Sequence, residues 1–214
     1  MTKTAALSTD IDEQGITGQM AERVVRGMEK WPDVPAVYNW VQLDRRGRWL
    51  MKGSEITHPR LLAFINQHYY AAADGSYYFQ NGPQQVFVEL ALTPYIFSLV
   101  GDVLMTQTDR VVKIVQAAFL SDQGDLFLQT DIGPGVIDDR HLAQVEEWFY
   151  TQGDRDEVLA DLLRGHADEN ARLVSERLNI DLPLQPIAEA ELEIQLEFIA
   201  KPQPPADDRE YCVD

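Results

Sequence analysis

Short apolar runs separated by glycine-bearing turns constrain the fold of this chain more than any other feature of its sequence. Three such turns divide the middle of the chain: Asp74-Gly75, Asn81-Gly82 and Ser121–Gly124. They border the runs 76–80, 84–90, 111–120 and 125–130. Runs of this length joined by such turns are typical of β-hairpins. The pattern therefore predicts sheets whose neighbouring strands are mainly antiparallel, and an earlier hairpin is predicted over 43–51.

Helical patterns are interleaved with these strands. Thr57 is a predicted N-cap that precedes a helix beginning near Pro59. Gly133-Pro134-Gly135 is predicted to be a turn that ends the second β-region. After it, Asp138 is expected to cap a helix that buries Leu142, Val145, Trp148 and Phe149.

The sequence pattern of the C-terminal third predicts two more helices and one strand. Asp154 and Gly165 are expected to cap the first helix at its two ends, and 168–178 is predicted to be the second. Four apolar residues alternate with acidic or amide residues in the late strand: Leu192, Ile194, Leu196 and Phe198. The predicted fold class is α+β, with a mixed, mainly antiparallel sheet core in two α+β parts, C-terminal helices and one late strand.

Four regions are expected along the chain. An N-terminal helix and linker occupy 1–40, the first α+β part 41–105, the second part with its helical segment 106–200, and a disordered acidic tail 201–214. The N-terminal helix is predicted from apolar residues spaced by three and four positions: Ile16, Met20, Val24, Met28 and Trp31.

The charge of the chain limits its partners. The formal net charge of −17 disfavours nucleic acid and anionic membrane, because both surfaces are negative. Residues 1–110 hold ten Lys/Arg and twelve Asp/Glu, whereas 111–214 hold eight and twenty-three, so most of the negative charge lies in the second half. A basic protein partner, or solvation alone, would explain this acidic half.

A reducing compartment is expected from the cysteine content. The single cysteine, Cys212, has no partner for an internal disulfide. The first fourteen residues contain no apolar run of signal-peptide length, and the apolar stretch 90–105 is broken by Pro94 and Gly101. We expect a cytoplasmic protein that does not enter the membrane. The residues do not indicate an oligomeric state.

Residues 43–142 resemble an uncharacterised proteobacterial domain-of-unknown-function family. The motifs that carry the resemblance occur in the family's order: Arg46-Gly47-Arg48-Trp49, Gly53-Ser54-Glu55-Ile56, Pro59-Arg60-Leu61, Asp74-Gly75-Ser76-Tyr77-Tyr78, Gln85-Val86-Phe87-Val88, Pro94-Tyr95, 126–131 and 138–142. The resemblance implies a two-part α+β fold with related structural motifs and a signalling or ligand-binding role. It supplies no catalytic residue.

Motifs for catalysis are absent from the sequence. It contains no phosphate-binding glycine loop, no paired Cys/His metal site and no GxSxG nucleophile motif. Asp138, Asp139 and His141 are the best metal candidates, although acids at a helix start more often act as caps. We therefore expect no cofactor. A hydrolase-like enzyme whose site includes His58, Asp138 and His141 is the alternative to a binding protein.

A basic hairpin stands out from the acidic background and supplies the candidate ligand site. Its members are Arg45, Arg46, Arg48, Trp49 and Lys52, with Tyr77 and Tyr78 expected nearby. Arginine forks and tyrosine hydroxyls suit a small anionic ligand or a protein. The same arginines would also suit ion pairs with the acidic residues of the chain itself. The sequence favours a non-enzymatic cytoplasmic ligand- or protein-binding module with a regulatory or signalling role.

Overall fold

Two β-sheets form the body of the protein in its computed structural model, which describes residues 36–152 and 154–205. The strands of the first sheet are β1 (Val37–Leu43), β2 (Trp49–Met51), β3 (Ser54–Glu55), β4 (Tyr69–Ala71), β5 (Tyr77–Asn81) and β6 (Gln84–Leu90). Their order across the sheet is β3-β2-β1-β6-β5-β4. Strands β1 and β6 are parallel, and the other neighbours are antiparallel.

The second sheet has eight strands. They are β7 (Tyr95–Val100), β8 (Val103–Thr106), β9 (Val115–Ser121), β10 (Leu126–Thr130), β11 (Pro134–Ile137), β12 (Phe149–Tyr150), β13 (Arg172–Ser175) and β14 (Ile180–Ile187). Their order is β12-β13-β14-β9-β10-β11-β7-β8. The pairs β7·β11 and β9·β14 are parallel, whereas the remaining pairs are antiparallel. The expected predominance of antiparallel pairing is confirmed.

Helices are few and short in the described residues. The α-helices are α1 (Pro59–Gln67), α2 (Leu142–Val145), α3 (Arg155–Leu163) and α4 (Leu192–Gln195). Single 3-10 turns occupy Asp139–His141, Glu146–Trp148 and Glu189–Glu191. The fold is therefore α+β, as predicted, with sheets that dominate over helices. No helix in this part of the chain has the length and apolar content needed to cross a bilayer.

One apolar core runs through both sheets. Val41 and Phe79 enter it from the first sheet, while Phe97 and Leu128 enter it from the second. The C-terminal segment then returns to the first sheet, where Ile199 donates a backbone hydrogen bond to Gly75 O at 2.9 Å. Strands β7 and β8 belong to the second sheet although they precede residue 106.

Local capping follows the sequence at three of the four predicted sites. The Asp138 carboxylate accepts a hydrogen bond from Arg140 N, and that of Asp154 accepts from Asp156 N and Glu157 N. Gly165, at φ +83, follows the end of α3 as expected. The predicted cap at Thr57 is wrong, because α1 starts after His58, which forms no side-chain cap.

Two C-terminal predictions are wrong. The predicted helix over 168–178 contains strand β13, because its backbone pairs with β14 and buries Leu173 and Ser175. The predicted strand over 192–198 is instead helical at α4. Leu192 and Leu196 are buried four positions apart, whereas Ile194 is 83% exposed, so one helical turn satisfies the pattern better than a strand.

Pro134 and Gly135 are a further correction. They were predicted to end the β-region, but Gly133 closes a turn with Thr130 and strand β11 begins at Pro134. A proline is tolerated there because it is the first residue of the strand. The predicted helix over 16–31 and most of the predicted tail lie outside the described residues.

Candidate functional site

The arginines of the basic hairpin face carboxylates of the protein itself. Arg45 Nη2 lies 2.5 Å from Asp125 Oδ2, and Arg46 Nη2 lies 3.1 Å from Asp139 Oδ2. Arg48 Nε lies 2.6 Å from Asp44 Oδ2 within the hairpin. The first two pairs connect the hairpin to the second sheet. The guanidinium charges are therefore already balanced locally, which reduces their attraction for an external anion.

Lys52 and Trp49 take different positions in the same hairpin. The Lys52 ammonium lies 4.5 Å from the centroid of the Trp40 ring, on the surface. Trp49 is buried, at 2% exposure, and its Nε1 donates to Asn66 Oδ1 at 2.9 Å. Trp49 therefore belongs to the core, whereas the charged ends of the hairpin lie outside it.

Tyr77 and Tyr78 point to opposite faces of the first sheet. Tyr77 is 4% exposed and packs edge-on against Tyr95, with 5.8 Å between ring centroids. Tyr78 is half-buried on the other face, where it contacts Phe87 and Tyr70. The structure thus does not bring the predicted ligand-binding residues together around one cavity. Their role in binding stays a prediction.

A cluster of buried tyrosines joins the two sheets. Tyr69 and Tyr77 come from the first sheet and Tyr95 from the second, with centroid distances of 5.5–5.8 Å. Burial raises the pKa of all three hydroxyls, although Arg110, whose Nη1 lies 3.3 Å from Tyr95 Oη, opposes the rise at Tyr77 and Tyr95. The hydroxyls stay protonated at neutral pH and act as hydrogen-bonding groups of the core.

The three residues proposed for a metal site bind separate partners. The Asp138 carboxylate is buried and pairs with the Arg140 guanidinium, while Asp139 pairs with Arg46. His141 Nδ1 lies 3.3 Å from Gln144 Oε1. Among the described residues, no group of three or more His, Cys, Asp or Glu side chains is placed to hold a metal ion.

Replacing Asp138 should remove part of the pH dependence of the protein's stability. Burial alone would raise the pKa of Asp138, but hydrogen bonds and charge from Arg140 outweigh it and hold that pKa at about 2. The ordinary value is about 3.9, so the carboxylate contributes stability above pH 4 and loses it as the pH falls toward 2. Because Arg140 is largely exposed, we expect Asp138→Asn to cost about 1–2 kcal/mol at pH 7.

Urea unfolding of the parent and of Asp138→Asn between about pH 2 and 7 checks this. The difference in unfolding free energy should shrink as the pH falls. Asp161→Asn is the matched control, since that carboxylate forms an exposed pair with Arg164 and should cost less than about 0.5 kcal/mol. A difference that stays constant with pH would contradict the assignment.

A cleft lies at one end of the second sheet. It has a volume of about 710 Å³ and is bordered by three segments of the chain. Leu99, Gly101 and Asp102 come from the β7–β8 turn, Ala143 to Trp148 from α2 and the turn after it, and Val174 to Leu178 from β13 and its turn. Cavities of 300–1,000 Å³ are typical of small-ligand sites.

The charged groups that line the cleft are mostly negative. Asp102, Glu147 and Glu176 supply three carboxylates, and Arg177 supplies one guanidinium. Arg177 Nη1 lies 2.9 Å from Asp102 Oδ1, with both side chains largely exposed. The remaining carboxylates, Glu147 and Glu176, give this end of the protein an excess of negative charge.

Ser175 and Trp148 complete the cleft. Ser175 is 7% exposed and lies among the residues that line the cleft. Trp148 is half-buried and is also among the residues that line the cleft.

Sequence reasoning missed this cleft. The sequence pattern predicts Trp148 in the core of a helix and Ser175 inside a helix over 168–178, where the structure has a 3-10 turn and strand β13 instead. The one signal available was the exposed sequence Glu176-Arg177 beside a strand, which is unremarkable in so charged a chain.

Comparison with protein-family models identifies an uncharacterised family. A family model named DUF2944, described as "Protein of unknown function (DUF2946)", matches residues 20–203. No curated protein matches the sequence. The resemblance to an uncharacterised domain family, predicted from 43–142, is confirmed and extends over most of the chain.

Two solved structures of bacterial proteins are similar. A DUF1285 family protein from Silicibacter pomeroyi DSS-3 has 13% identity and a TM-score of 0.48, and the match covers 74% of this chain and 84% of that one. A DUF1285 family protein from Shewanella baltica OS155 has 13% identity and a TM-score of 0.39, with coverage of 50% and 90%. By the family match over residues 20–203, the chain belongs to the DUF2944 family, whose function is unknown.

Proposed function

We propose that the protein is a non-enzymatic, cytoplasmic binding module that takes a small ligand with a cationic group in the cleft beside Trp148. The observation that supports this most is the cavity of about 710 Å³, whose lining combines Trp148 with the acidic residues Glu147 and Glu176. A regulatory or signalling use of that binding is part of the proposal. The lone Cys212 is consistent with a reducing compartment.

The chemistry of the cleft favours a cation over an anion. Two carboxylates, Glu147 and Glu176, are in excess over the Asp102–Arg177 pair. An indole face attracts ammonium and guanidinium groups, and the effect is stronger when the group is partly desolvated. Ser175 would orient the ligand by a hydrogen bond. The chain's net charge of −17 would also increase the local concentration of cations.

The predicted anionic ligand and protein partner remain alternatives at the basic hairpin. Arg45 and Arg46 would have to leave Asp125 and Asp139 to reach such a partner. Breaking exposed ion pairs costs little, so the hairpin stays accessible to a strongly acidic partner. The cavity of about 710 Å³ makes the cleft the better supported of the two sites.

A cationic ligand should stabilise the protein against heat. Spermidine, choline and arginine serve as cationic probes, and citrate and adenosine monophosphate as anionic ones. At about 100 times its Kd a ligand adds about 2.7 kcal/mol, which raises the Tm of a domain of this size by about 5–10 °C. Trp148→Ala should weaken binding of the active probe at least about tenfold by calorimetry, because it removes the indole wall.

Two further variants distinguish the sites. Tyr150→Ala removes an aromatic ring that is 51% exposed and lies outside the cleft lining, so it should leave binding unchanged. Arg46→Ala with Arg48→Ala should also leave it unchanged. Loss of binding only in that double variant would place the ligand at the hairpin instead. If no probe shifts the Tm and the protein hydrolyses phosphoesters or esters, the enzyme alternative is favoured.

A further inference from the structure

A second cleft lies where the end of strand β4 meets the C-terminal segment. It has a volume of about 480 Å³, and we call it the strand-edge cleft. Its two walls are the turn after β4 and the segment around the end of α4, and the lining residues are 71–75, Tyr77, Glu193, Glu197, Phe198 and Ile199. It shares no lining residue with the cleft beside Trp148.

Close contacts hold the two walls of the strand-edge cleft together. Ile199 N donates to Gly75 O at 2.9 Å, and Ala200 N donates to Glu193 Oε2 at 2.9 Å. A Cβ atom on Gly75 would lie 3.0 Å from Glu197 O, so the backbones of the two walls approach closely there. These contacts fix the distance between the walls, so a ligand would not have to order them first.

The charged residues that line the strand-edge cleft are all acidic. They are Asp74, Glu193 and Glu197, and the described lining includes no lysine, arginine or histidine. Ser76 donates to Asp74 Oδ1 through its hydroxyl at 2.6 Å and its backbone N–H at 2.9 Å, which lowers the pKa of Asp74. Asp74 is therefore ionised at neutral pH. The charge of this cleft is complementary to a cationic partner.

Strand β4 is the last strand at one edge of the first sheet in the described part of the chain. Ala72 N donates to Ser76 O at 2.8 Å, so the backbone of Ala72 faces β5. Neighbouring residues of an antiparallel strand direct their backbone groups to opposite sides, so the N–H and C=O of Ala71 face away from β5. Tyr69 has the same orientation but is buried, whereas Ala71 is exposed and lines the strand-edge cleft. The accessible part of the edge therefore lies at this cleft.

We propose that the strand-edge cleft binds an extended basic segment of another protein, which adds to the edge of β4 at Ala71. Such a segment would form backbone hydrogen bonds with both the N–H and the C=O of Ala71. Its lysine or arginine side chains would lie near Asp74, Glu193 and Glu197. A free polyamine supplies the charge but has no peptide backbone to match the strand edge. Nucleic acid and anionic lipid are disfavoured by the net charge of −17.

A short peptide of about eight residues that alternates arginine and valine tests this docking. Fluorescence anisotropy measures its binding to the full-length protein. Two matched peptides carry N-methyl groups on either every arginine or every valine, so both keep the charge. Because only one register brings the arginines to the carboxylates, only one of these sets of amides faces β4. That methylated peptide should bind at least about tenfold more weakly than the other.

The two edges of the first sheet provide a matched pair of protein variants. Ala71→Pro removes the N–H that faces away from β5, and edge strands tolerate proline. It should weaken binding of the unmethylated peptide at least about tenfold. Glu55→Pro makes the same change in β3, at the opposite edge, and should stay within about twofold of the parent. Far-UV circular dichroism establishes that both variants fold.

Charge reversal gives a readout that does not depend on proline. Glu197→Lys should weaken binding at least about tenfold. Glu169→Lys changes the net charge by the same amount at an exposed residue outside the cleft lining, and should stay within about threefold of the parent. Equal effects of these two variants, or equal binding of the two methylated peptides, would show attraction by charge alone and overturn the proposal. Binding of the parent peptide weaker than about 1 mM would also overturn it.

Discussion

Replacing Trp49 by alanine is expected to cost about 4 kcal/mol of unfolding free energy. Trp49 is 2% exposed and packs edge-on against Tyr69, with ring centroids 5.1 Å apart. Truncation of a buried tryptophan removes a large apolar area and leaves a cavity, and typical losses are about 3–5 kcal/mol. The loss is a large part of the stability of an ordinary domain.

The hydrogen bond of Trp49 adds a second, smaller effect. Its Nε1 donates to Asn66 Oδ1, while Asn66 Nδ2 donates to Gln107 O at 3.1 Å and Asp109 Oδ2 at 3.2 Å. Asn66 therefore links the hairpin to the loop that precedes β9. Trp49→Phe retains most of the apolar packing but leaves Asn66 Oδ1 without that donor, and we expect a cost of about 1–2 kcal/mol.

Urea unfolding followed by far-UV circular dichroism measures both losses, because that signal does not depend on the removed indole. Trp40→Ala is the control in the same hairpin region. Trp40 is 43% exposed and contacts Lys52, so its removal should cost about 1 kcal/mol or less. If Trp49→Ala and Trp40→Ala cost the same, Trp49 does not support the core, and a direct role in ligand binding becomes the better interpretation.

Local signals in the sequence were enough to predict much of the fold. Strand β6 occupies the predicted residues 84–90, because Asn81-Gly82 forces a turn and Val86 and Val88 alternate with outward-facing residues. Helix α3 lies between its predicted caps, Asp154 and Gly165. In each case the turn or cap and the apolar pattern agreed, so local structure did not depend on distant partners.

The errors come from segments whose partners lie elsewhere in the chain. Residues 172–175 have ordinary helix-forming neighbours, but pairing with β14 decides their structure. The alternation from Leu192 to Phe198 also contains a spacing of four, and burial of Leu192 with Leu196 selects the helical turn. Periodicity over so few residues cannot distinguish these outcomes.

The candidate site was harder to predict than the fold, because its parts come together only in space. Arg45 meets Asp125 across 80 positions and Arg46 meets Asp139 across 93 positions. The cleft likewise unites a turn near 101, a helix near 145 and a turn near 177. A net charge of −17 supplies so many acids that proximity in sequence does not identify the ones that matter.

Gly135→Ala is expected to cost about 3 kcal/mol, the second largest effect we predict. Gly135 lies in β11 between β10 and β7, and it pairs with Tyr95. A Cβ atom at this position would lie 2.5 Å from Tyr95 O and 2.6 Å from Phe97 Cε2. Neither neighbour can move easily, since one is sheet backbone and the other is a ring with 0% exposure. Overpacking of this kind costs about 1–3 kcal/mol or more.

Gly82→Ala separates the steric effect from backbone strain. Gly82 has φ +60 and nothing within 4 Å of a Cβ atom, so alanine should cost only about 1 kcal/mol there. Urea unfolding of both variants measures the difference. Phe97→Leu removes two of the ring contacts that clash with the added Cβ atom. The double variant Gly135→Ala/Phe97→Leu should therefore be about 1 kcal/mol more stable than the sum of the two single losses predicts. Two results would contradict this packing of β7 against β11. One is that the losses of Gly135→Ala and Phe97→Leu simply add in the double variant. The other is that Gly135→Ala and Gly82→Ala cost the same, since the register of Gly135 and Tyr95 requires a close approach only at Gly135.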